Sequence, residues 1–246
     1  IIIRSLNVHL PSIGIGVGAV IAVVVIVFFV LGQSAEKPSI QTPIMQTPAQ
    51  EPSTSGQTGQ IAQIHLLIDN ASPILGSKDA PITMIEFGDY QCFYCHQFYN
   101  NTEPDILKNY INTGKVRMVF KDFTIIGQDS VNAAHASHCA QEQGKFWAYH
   151  DALYDNWSGE NTGWASSSGL LKFAKQVGLD TTAFDQCMTQ SKYISTVQGS
   201  LSNAKDLGLT GTPDFFIMMP DHSVTKVVGA QPYQVFDTIF KSQQKP

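Results

Sequence analysis

From about residue 61 onwards, the hydrophobic and polar positions alternate between short β-type runs and longer stretches of helical periodicity. The β-type runs are residues 82–87 (ITMIEF), 116–120 (VRMVF), 215–218 (FFIM) and 225–228 (TKVV). The helical stretches are residues 93–112, 129–156, 168–177, 182–190, 192–207 and 232–242. The order is βαβ, a helical block and then ββα, which predicts an α/β fold with an all-helical insertion at about 129–207.

Several residues mark the ends of these elements. Gly178 follows a helical stretch at the position where a left-handed residue ends a helix, and Thr182 with Asp185 forms a weak capping-type pair at the next one. Residues 220–222 (PDH) are a turn signal between the last two strands. We therefore expect those two strands to form a hairpin.

The N-terminal segment has a different pattern. Every residue from 13 to 31 is apolar or glycine, and nineteen helical residues span about 28 Å, close to the ~30 Å hydrocarbon core of a bilayer. This predicts a transmembrane anchor within residues 1–32, with the rest of the chain exported because Arg4 is its only positive flank. A cleaved signal peptide is the alternative, since Ser34 and Ala35 are small enough to lie near a cleavage site.

Residues 33–60 form a segment of low complexity. They contain four prolines, many Gln, Ser and Thr residues, and no aromatic residue. Such a composition buries too little apolar surface to offset the entropy cost of ordering the chain. We predict a flexible linker here, followed by a folded domain over residues 61–246.

Charge and cysteine content narrow the functional classes. The 246 residues include 15 Lys and Arg against 20 Asp and Glu, a net charge of −5. A nucleic-acid-binding protein normally has a basic surface, so we expect no nucleic-acid partner. Four cysteines are too few for a small scaffold held together by disulfides, so their spacing has to be considered instead.

Two cysteines lie at the predicted junction between the first strand and the first helix, in the sequence Cys92-Phe93-Tyr94-Cys95. A helix that begins there places Cys92 in its first turn, where unpaired N–H groups and the helix dipole stabilise a thiolate and lower the thiol pKa. We predict that Cys92 is the exposed nucleophile and that Cys95, facing inward, resolves a mixed disulfide. Structural thiols or half of a zinc site are the alternative, but the sequence has no second C-x-x-C, so we predict no metal.

The same cysteine motif is compatible with a second function. Cys92-x-x-Cys95-His96 matches the pattern of covalent haem attachment, with His96 as the axial ligand. The predicted strands on both sides argue against this alternative, because small c-type cytochromes are mostly helical. A binding or chaperone module without catalysis is a third possibility.

Over residues 70–242 the sequence resembles the exported, DsbA-like thiol–disulfide oxidoreductases of the thioredoxin fold, which carry a helical insertion. The resemblance rests on residues 76–81, 86–95, 133–134, 139–147, 149–153, 211–213 and 229–233. A C-x-x-C motif alone is common. A C-x-x-C motif followed by Thr212-Pro213 at the start of a late strand is specific to this fold.

The resemblance implies roles for further residues. It implies a cis Thr212–Pro213 bond that faces the cysteine pair and binds substrate together with Phe93 and Tyr94. It also implies that Glu86 is a buried carboxylate beneath Cys95, with a raised pKa, able to exchange a proton with that thiol. Many relatives have proline at the position of Phe93, which here adds an apolar surface beside the nucleophile.

The remaining cysteines, Cys139 and Cys187, fall in the helical insertion. Relatives with this pair support a structural disulfide, which would close a loop of about 49 residues and contribute roughly 4 kcal/mol. Two buried free thiols are the alternative. His135 and His138 lie close to Cys139 in the sequence, and we interpret them as surface and interface residues rather than metal ligands.

The resemblance implies an enzyme tethered to the membrane by residues 13–31, with an extracytoplasmic catalytic domain. It would introduce disulfides into exported proteins through the Cys92–Cys95 redox pair, with no other cofactor. Its partners would be reduced exported proteins and a reoxidant, either a membrane protein or a small molecule, and we expect a monomer. A disulfide reductase or isomerase of the same fold remains open.

Overall fold

The structure is a computed structural model that describes residues 64–242. One mixed sheet has the strand order β2-β1-β3-β4. Strand β1 runs parallel to β2 and antiparallel to β3, and β3 pairs with β4 as an antiparallel hairpin. The strands are β1 (Ile82–Gly88), β2 (Val116–Asp122), β3 (Asp214–Met218) and β4 (Val224–Val228). All four predicted strands and the predicted hairpin are confirmed.

Helices connect and cover this sheet. They are α1 (residues 64–68), α2 (Phe93–Asn101), α3 (Glu103–Ile106), α4 (Gln128–Gln141), α5 (Phe146–Asp155), α6 (Ser167–Gln176), α7 (Thr181–Thr189), α8 (Ile194–Asp206) and α9 (Tyr233–Ser242). A π-helical turn, Leu107–Ile111, continues α3. Helices α4 to α8 lie between β2 and β3 in the chain, so the βαβ and ββα halves with an all-helical insertion are confirmed.

Strand β1 is buried along its whole length, and its side chains alternate between the two faces of the sheet. Met84 packs in a cluster with Phe236 of α9, whereas Ile85 and Phe87 pack in another cluster on the opposite face. By this alternation, Glu86 lies on the same face as Met84. The helical insertion has its own core, which includes both Cys92 and Cys95.

The predicted helix at 93–112 is interrupted. Thr102 ends α2, and Pro104 lies in the first turn of α3, where its missing N–H is not needed for a helical hydrogen bond. The single helix predicted at 129–156 is also wrong. It divides into α4 and α5, since the chain passes through Gly144 with a φ of +69°, a conformation that favours glycine.

Two helix ends test the predicted capping residues. Gly178 has a φ of +71° directly after Val177 caps α6, as predicted. The capping pair Thr182 and Asp185 is wrong, because Asp180 is the N-cap of α7 and its Oδ1 accepts hydrogen bonds from the backbone N–H groups of Thr182 and Ala183.

The predicted membrane anchor (1–32) and linker (33–60) lie outside the described residues. Between residues 64 and 242, no helix combines the length and apolar character needed to cross a bilayer.

Candidate active site

The cysteine pair lies where β1 leads into α2. Cys92 is the N-cap of α2, in an extended backbone conformation, and its Sγ accepts a hydrogen bond from the backbone N–H of Cys95 at 3.4 Å. Both thiols are free, and Cys95 is fully buried beneath Cys92. The helix therefore begins at the first cysteine and places the second one inward.

Cys92 is recessed rather than exposed, which corrects the prediction of an exposed nucleophile. Only 5% of Cys92 is accessible to solvent, whereas its neighbours Phe93 and Tyr94 are 45% and 62% exposed. Burial has a direct cause, since the thiol lies against the loop before β3 and donates a hydrogen bond to the carbonyl oxygen of Thr212 at 3.3 Å. The sulfur is therefore recessed next to two exposed aromatic side chains.

The pKa of the Cys92 thiol is lowered to about 6. The largest cause is a hydrogen bond from the Cys95 thiol, followed in the same direction by the Thr212 hydroxyl and by the backbone N–H groups of Cys95 and Tyr94, while burial opposes them. The sequence predicts that the start of the helix lowers this pKa, and the N–H groups of its first turn do so. The partner thiol contributes more.

The pKa of Cys95 moves in the opposite direction. Burial raises it well above its ordinary value, and Cys92 and Glu86 raise it further. The reduced pair therefore holds one proton on Cys95 and a negative charge on Cys92 at neutral pH.

Glu86 is a buried carboxylate on β1. It pairs in register with Phe120 on β2 and Phe215 on β3, and only 1% of its surface is exposed. Burial raises its pKa well above the ordinary value, and the charges of Glu103 and Cys92 raise it further. Its atom Oε2 has no hydrogen-bond partner within residues 64–242. The raised pKa favours the protonated form of Glu86 more than in an ordinary carboxyl group.

The loop before β3 faces Cys92. Its Thr212–Pro213 bond is cis, and the carbonyl oxygen of Pro213 accepts a hydrogen bond from the backbone N–H of Gly229 at 2.8 Å. A groove of about 470 Å³ begins at Phe93 and Tyr94 and continues to Pro232 and Tyr233 beside α9. The structure thus brings Thr212 to the nucleophile and places Phe93 and Tyr94 in an open groove.

Residues 69–243 match the sequence profile of the family described as thioredoxin. The chain belongs to this thioredoxin family. The match covers the sheet, the cysteine pair and the helical insertion, which confirms the predicted fold.

Individual members of the thioredoxin family are similar to the chain over most of the same region. A probable disulfide bond formation protein D of Bacillus anthracis is 29% identical over 147 residues, covering 58% of this chain and 68% of that protein. The crystal structure of a thioredoxin-like oxidoreductase from Silicibacter pomeroyi is 30% identical with a TM-score of 0.59, covering 74% of this chain and 98% of the other. The crystal structure of alpha-DsbA1 from Wolbachia pipientis is 29% identical with a TM-score of 0.61, covering 69% and 89% respectively.

These similarities and the geometry of the cysteine pair assign an activity class. The chain is an enzyme of the protein thiol–disulfide oxidoreductase class, as the sequence predicts.

His96 completes the haem-attachment pattern in the sequence. Its ring stacks on Trp157 with centroids 4.6 Å apart, and its Nε2 lies 2.9 Å from Nδ2 of Asn100. The ring therefore packs against the loop that follows α5.

Sequence reasoning missed a loop that packs over the thioredoxin-family site, between α5 and α6. Trp157 donates a hydrogen bond from Nε1 to the carbonyl oxygen of Gln91 at 2.8 Å, and Glu160 Oε1 accepts one from the backbone N–H of Phe93 at 3.1 Å. These contacts join residues 66 and 67 positions apart in the chain. No local sequence signal could have revealed them.

Glu160 binds the backbone N–H of Phe93, the first residue of α2 and the neighbour of Cys92. We expect Glu160→Gln to lower the pKa of Cys92 by a few tenths of a pH unit, because the amide oxygen keeps the hydrogen bond and the repulsion is removed. The ultraviolet absorbance of the thiolate, titrated against pH, measures this change. Asp185→Asn, which removes an exposed acid from α7, is the control. An unchanged pKa in Glu160→Gln would contradict the prediction.

The other two cysteines form a disulfide, Cys139–Cys187, which joins α4 to α7. His135 lies beside it, so the three side chains bring potential metal ligands within 4.8 Å of one another. The disulfide uses both sulfur atoms, which leaves His135 as the one free ligand of the three. His135 and His138 are both buried, which corrects their interpretation as surface and interface residues, and Nε2 of His138 lies 2.7 Å from Oδ2 of Asp122 in the core.

Proposed function

We propose that this enzyme is a dithiol oxidase that introduces disulfides into exported proteins. The observation that carries the proposal is the contrast within the pair, with the pKa of Cys92 lowered to about 6 and that of Cys95 raised. A stabilised Cys92 thiolate is a good leaving group. It favours the reduced state of the enzyme and therefore the oxidation of its substrate.

The reaction takes two electrons from a substrate dithiol. A substrate thiolate attacks Sγ of Cys92 in the oxidised pair, the Cys92–Cys95 bond breaks, and its electron pair stays on Cys95, which takes up a proton. The second substrate thiolate then attacks the substrate sulfur of the mixed disulfide. Cys92 leaves as a thiolate and the substrate disulfide is complete.

The pH dependence of this bias follows from the sign of the Cys92 shift. A thiol pKa that is lower in the folded than in the unfolded protein stabilises the folded, reduced form above the unfolded pKa. This stabilisation decreases as the pH falls and is lost as the pH passes through about 6. The enzyme should therefore be a stronger oxidant at neutral pH than at acidic pH, relative to an ordinary dithiol.

The other site residues take roles around this pair. Glu86 exchanges a proton with Cys95, and the redox-active disulfide serves in place of any further cofactor. The four residues that bind substrate are Phe93, Tyr94, Thr212 and Pro213. Phe93 and Tyr94 line the groove, Thr212 contacts Cys92, and Pro213 follows Thr212 through the cis bond, which supports these roles.

The proposal includes the organisation of the whole chain. Residues 1–32 anchor it in the cell membrane, residues 33–60 link the anchor to the domain, and residues 61–246 act outside the cytoplasm as a monomer. Reduced exported proteins are the substrates, and a membrane protein or a small oxidant restores the disulfide. Relatives that are named for disulfide bond formation support the reaction with reduced protein substrates.

The equilibrium potential of the Cys92–Cys95 pair, measured against glutathione on the full chain, tests the direction of the reaction. We expect a value closer to the roughly −120 mV of a strong oxidant than to the roughly −270 mV of thioredoxin. Oxidative refolding of a reduced client protein should be accelerated by the oxidised chain. A potential near that of thioredoxin would favour a reductase and contradict the proposal.

A further inference from the structure

The buried half of the active site requires a source of protons. Cys95 is completely buried and Glu86 is 1% exposed, so neither exchanges protons directly with solvent. Each cycle nevertheless adds a proton to Cys95 and removes it again. Some group must connect this interior to bulk water.

His150, on α5, lies in the same interior. Its ring is fully buried, with centroids 5.1 Å from Phe120 and 5.0 Å from Tyr154. Phe120 is the residue paired with Glu86 across β1 and β2. Tyr154 lies near the cysteines as well, since the charges of Cys95 and Glu86 raise the pKa of its hydroxyl. The imidazole therefore stands across one aromatic cluster from the acid beneath Cys95.

One nitrogen of the buried His150 ring contacts a side chain at the surface. Its Nδ1 lies 3.1 Å from Oδ1 of Asp151, whose side chain is 52% exposed. Its Nε2 points into the protein and has no hydrogen-bond partner within the described residues. The same is true of Glu86 Oε2 and of the Tyr90 and Tyr154 hydroxyls. Buried polar atoms of this kind are normally satisfied by one another or by internal water.

Glu103, on α3, adds a second buried carboxylate. Burial raises its pKa and the charge of His150 lowers it, while the charge of Glu103 in turn raises the pKa of Glu86. The titratable groups that surround His150 are thus Glu103, Tyr90, Tyr99, Tyr154 and Asp151. Of these five groups, Asp151 combines a half-exposed carboxylate with a hydrogen-bond contact to the His150 ring.

We propose that His150 and Asp151 form the entrance through which protons reach Glu86 and Cys95 from solvent. When the Cys92–Cys95 bond breaks, the Cys95 thiolate takes the proton of the Glu86 carboxyl group. The Glu86 carboxylate regains a proton from the His150 imidazolium by way of the Tyr154 hydroxyl or internal water, and His150 regains one from solvent at Asp151. On reoxidation the proton leaves along the same path.

This inference rests on the role proposed for Glu86, and it holds for either direction of disulfide exchange. His150 and Asp151 do not touch the reacting sulfur atoms, so they are positioning and proton-transfer residues rather than nucleophiles. Their effect should appear in rates that depend on proton supply. Substitution of either residue should leave the equilibrium potential of the Cys92–Cys95 pair unchanged.

The test is the rate at which dithiothreitol reduces the Cys92–Cys95 disulfide of the full chain, followed by stopped-flow tryptophan fluorescence as a function of pH in H₂O and D₂O. In Asp151→Asn the amide oxygen still accepts the hydrogen bond from His150, but the side chain carries no proton. We expect this variant to react about tenfold more slowly at and above neutral pH, with a larger solvent isotope effect and an unchanged potential. His150→Gln should show the same pattern. If that buried substitution prevents folding, the half-exposed Asp151→Asn still decides the question.

Asp155→Asn is the matched control, because Asp155 is an exposed acid one turn later on the same helix and bonds Tyr99 instead. It should behave like the wild-type chain. A wild-type rate profile and isotope effect in Asp151→Asn would overturn the inference, and so would a slowing that is equal at every pH with no isotope effect. A thioredoxin-like potential in the wild-type chain would instead overturn the oxidase proposal, and it would leave the comparison of Asp151→Asn with Asp155→Asn intact.

Discussion

The Cys92→Ser variant is expected to lose disulfide transfer by about 10³-fold or more, because the serine oxygen can neither hold the disulfide nor form the mixed disulfide with a substrate. Oxidative refolding of a reduced client, with the full chain as catalyst, measures this loss. The fold should be retained, since the two side chains are nearly isosteric and Cys92 lies at the N-cap of α2, where serine is a favourable residue.

Cys95→Ser is the matched control for the assignment of roles. This variant keeps the nucleophile but lacks the second thiol of the pair. Its Cys92 thiolate can attack a disulfide of an oxidised client and release one client thiolate, and without Cys95 to attack Cys92 in turn the mixed disulfide should accumulate. Mass spectrometry of the alkylated products identifies that adduct. The Cys95→Ser substitution also removes the thiol that lowers the Cys92 pKa most, so that pKa should rise towards its ordinary value. Full refolding activity in Cys92→Ser would favour a binding or chaperone module over an enzyme.

Much of the fold follows from local sequence patterns. The four strands are short apolar runs bounded by turn residues, and each was predicted to within two residues of its observed ends. The errors lie where one residue interrupts a helical pattern without changing its periodicity. Pro104 and Gly144 both stand inside stretches that otherwise read as continuous helices, and each marks a break.

The site was less predictable, because its geometry depends on residues far apart in the chain. The start of a helix at Cys92 depends on the local sequence, and the structure confirms it. The burial of Cys92 depends on Thr212, 120 positions later, and the sequence pattern alone carried no signal for it. Glu160 and His150 likewise reach the active-site region only through the packing of the helical insertion. Their chemistry is visible only once the fold has brought them together.

The Cys139–Cys187 disulfide should provide a large part of the stability of the domain. It links residues 48 positions apart, and in the chain-entropy model such a cross-link contributes about 4 kcal/mol by restricting the unfolded chain. We therefore expect the double variant Cys139→Ala and Cys187→Ala to lose about 4 kcal/mol of unfolding free energy, measured by guanidinium denaturation with Cys92 and Cys95 in the same redox state as in the wild-type chain. The double variant is preferable to either single one, because a lone cysteine could pair with Cys92. Selective reduction of the bridge in the wild-type chain should reproduce the loss without changing the sequence. A difference below about 1 kcal/mol would mean that the unfolded chain is already compact between α4 and α7, so that the bridge restricts little.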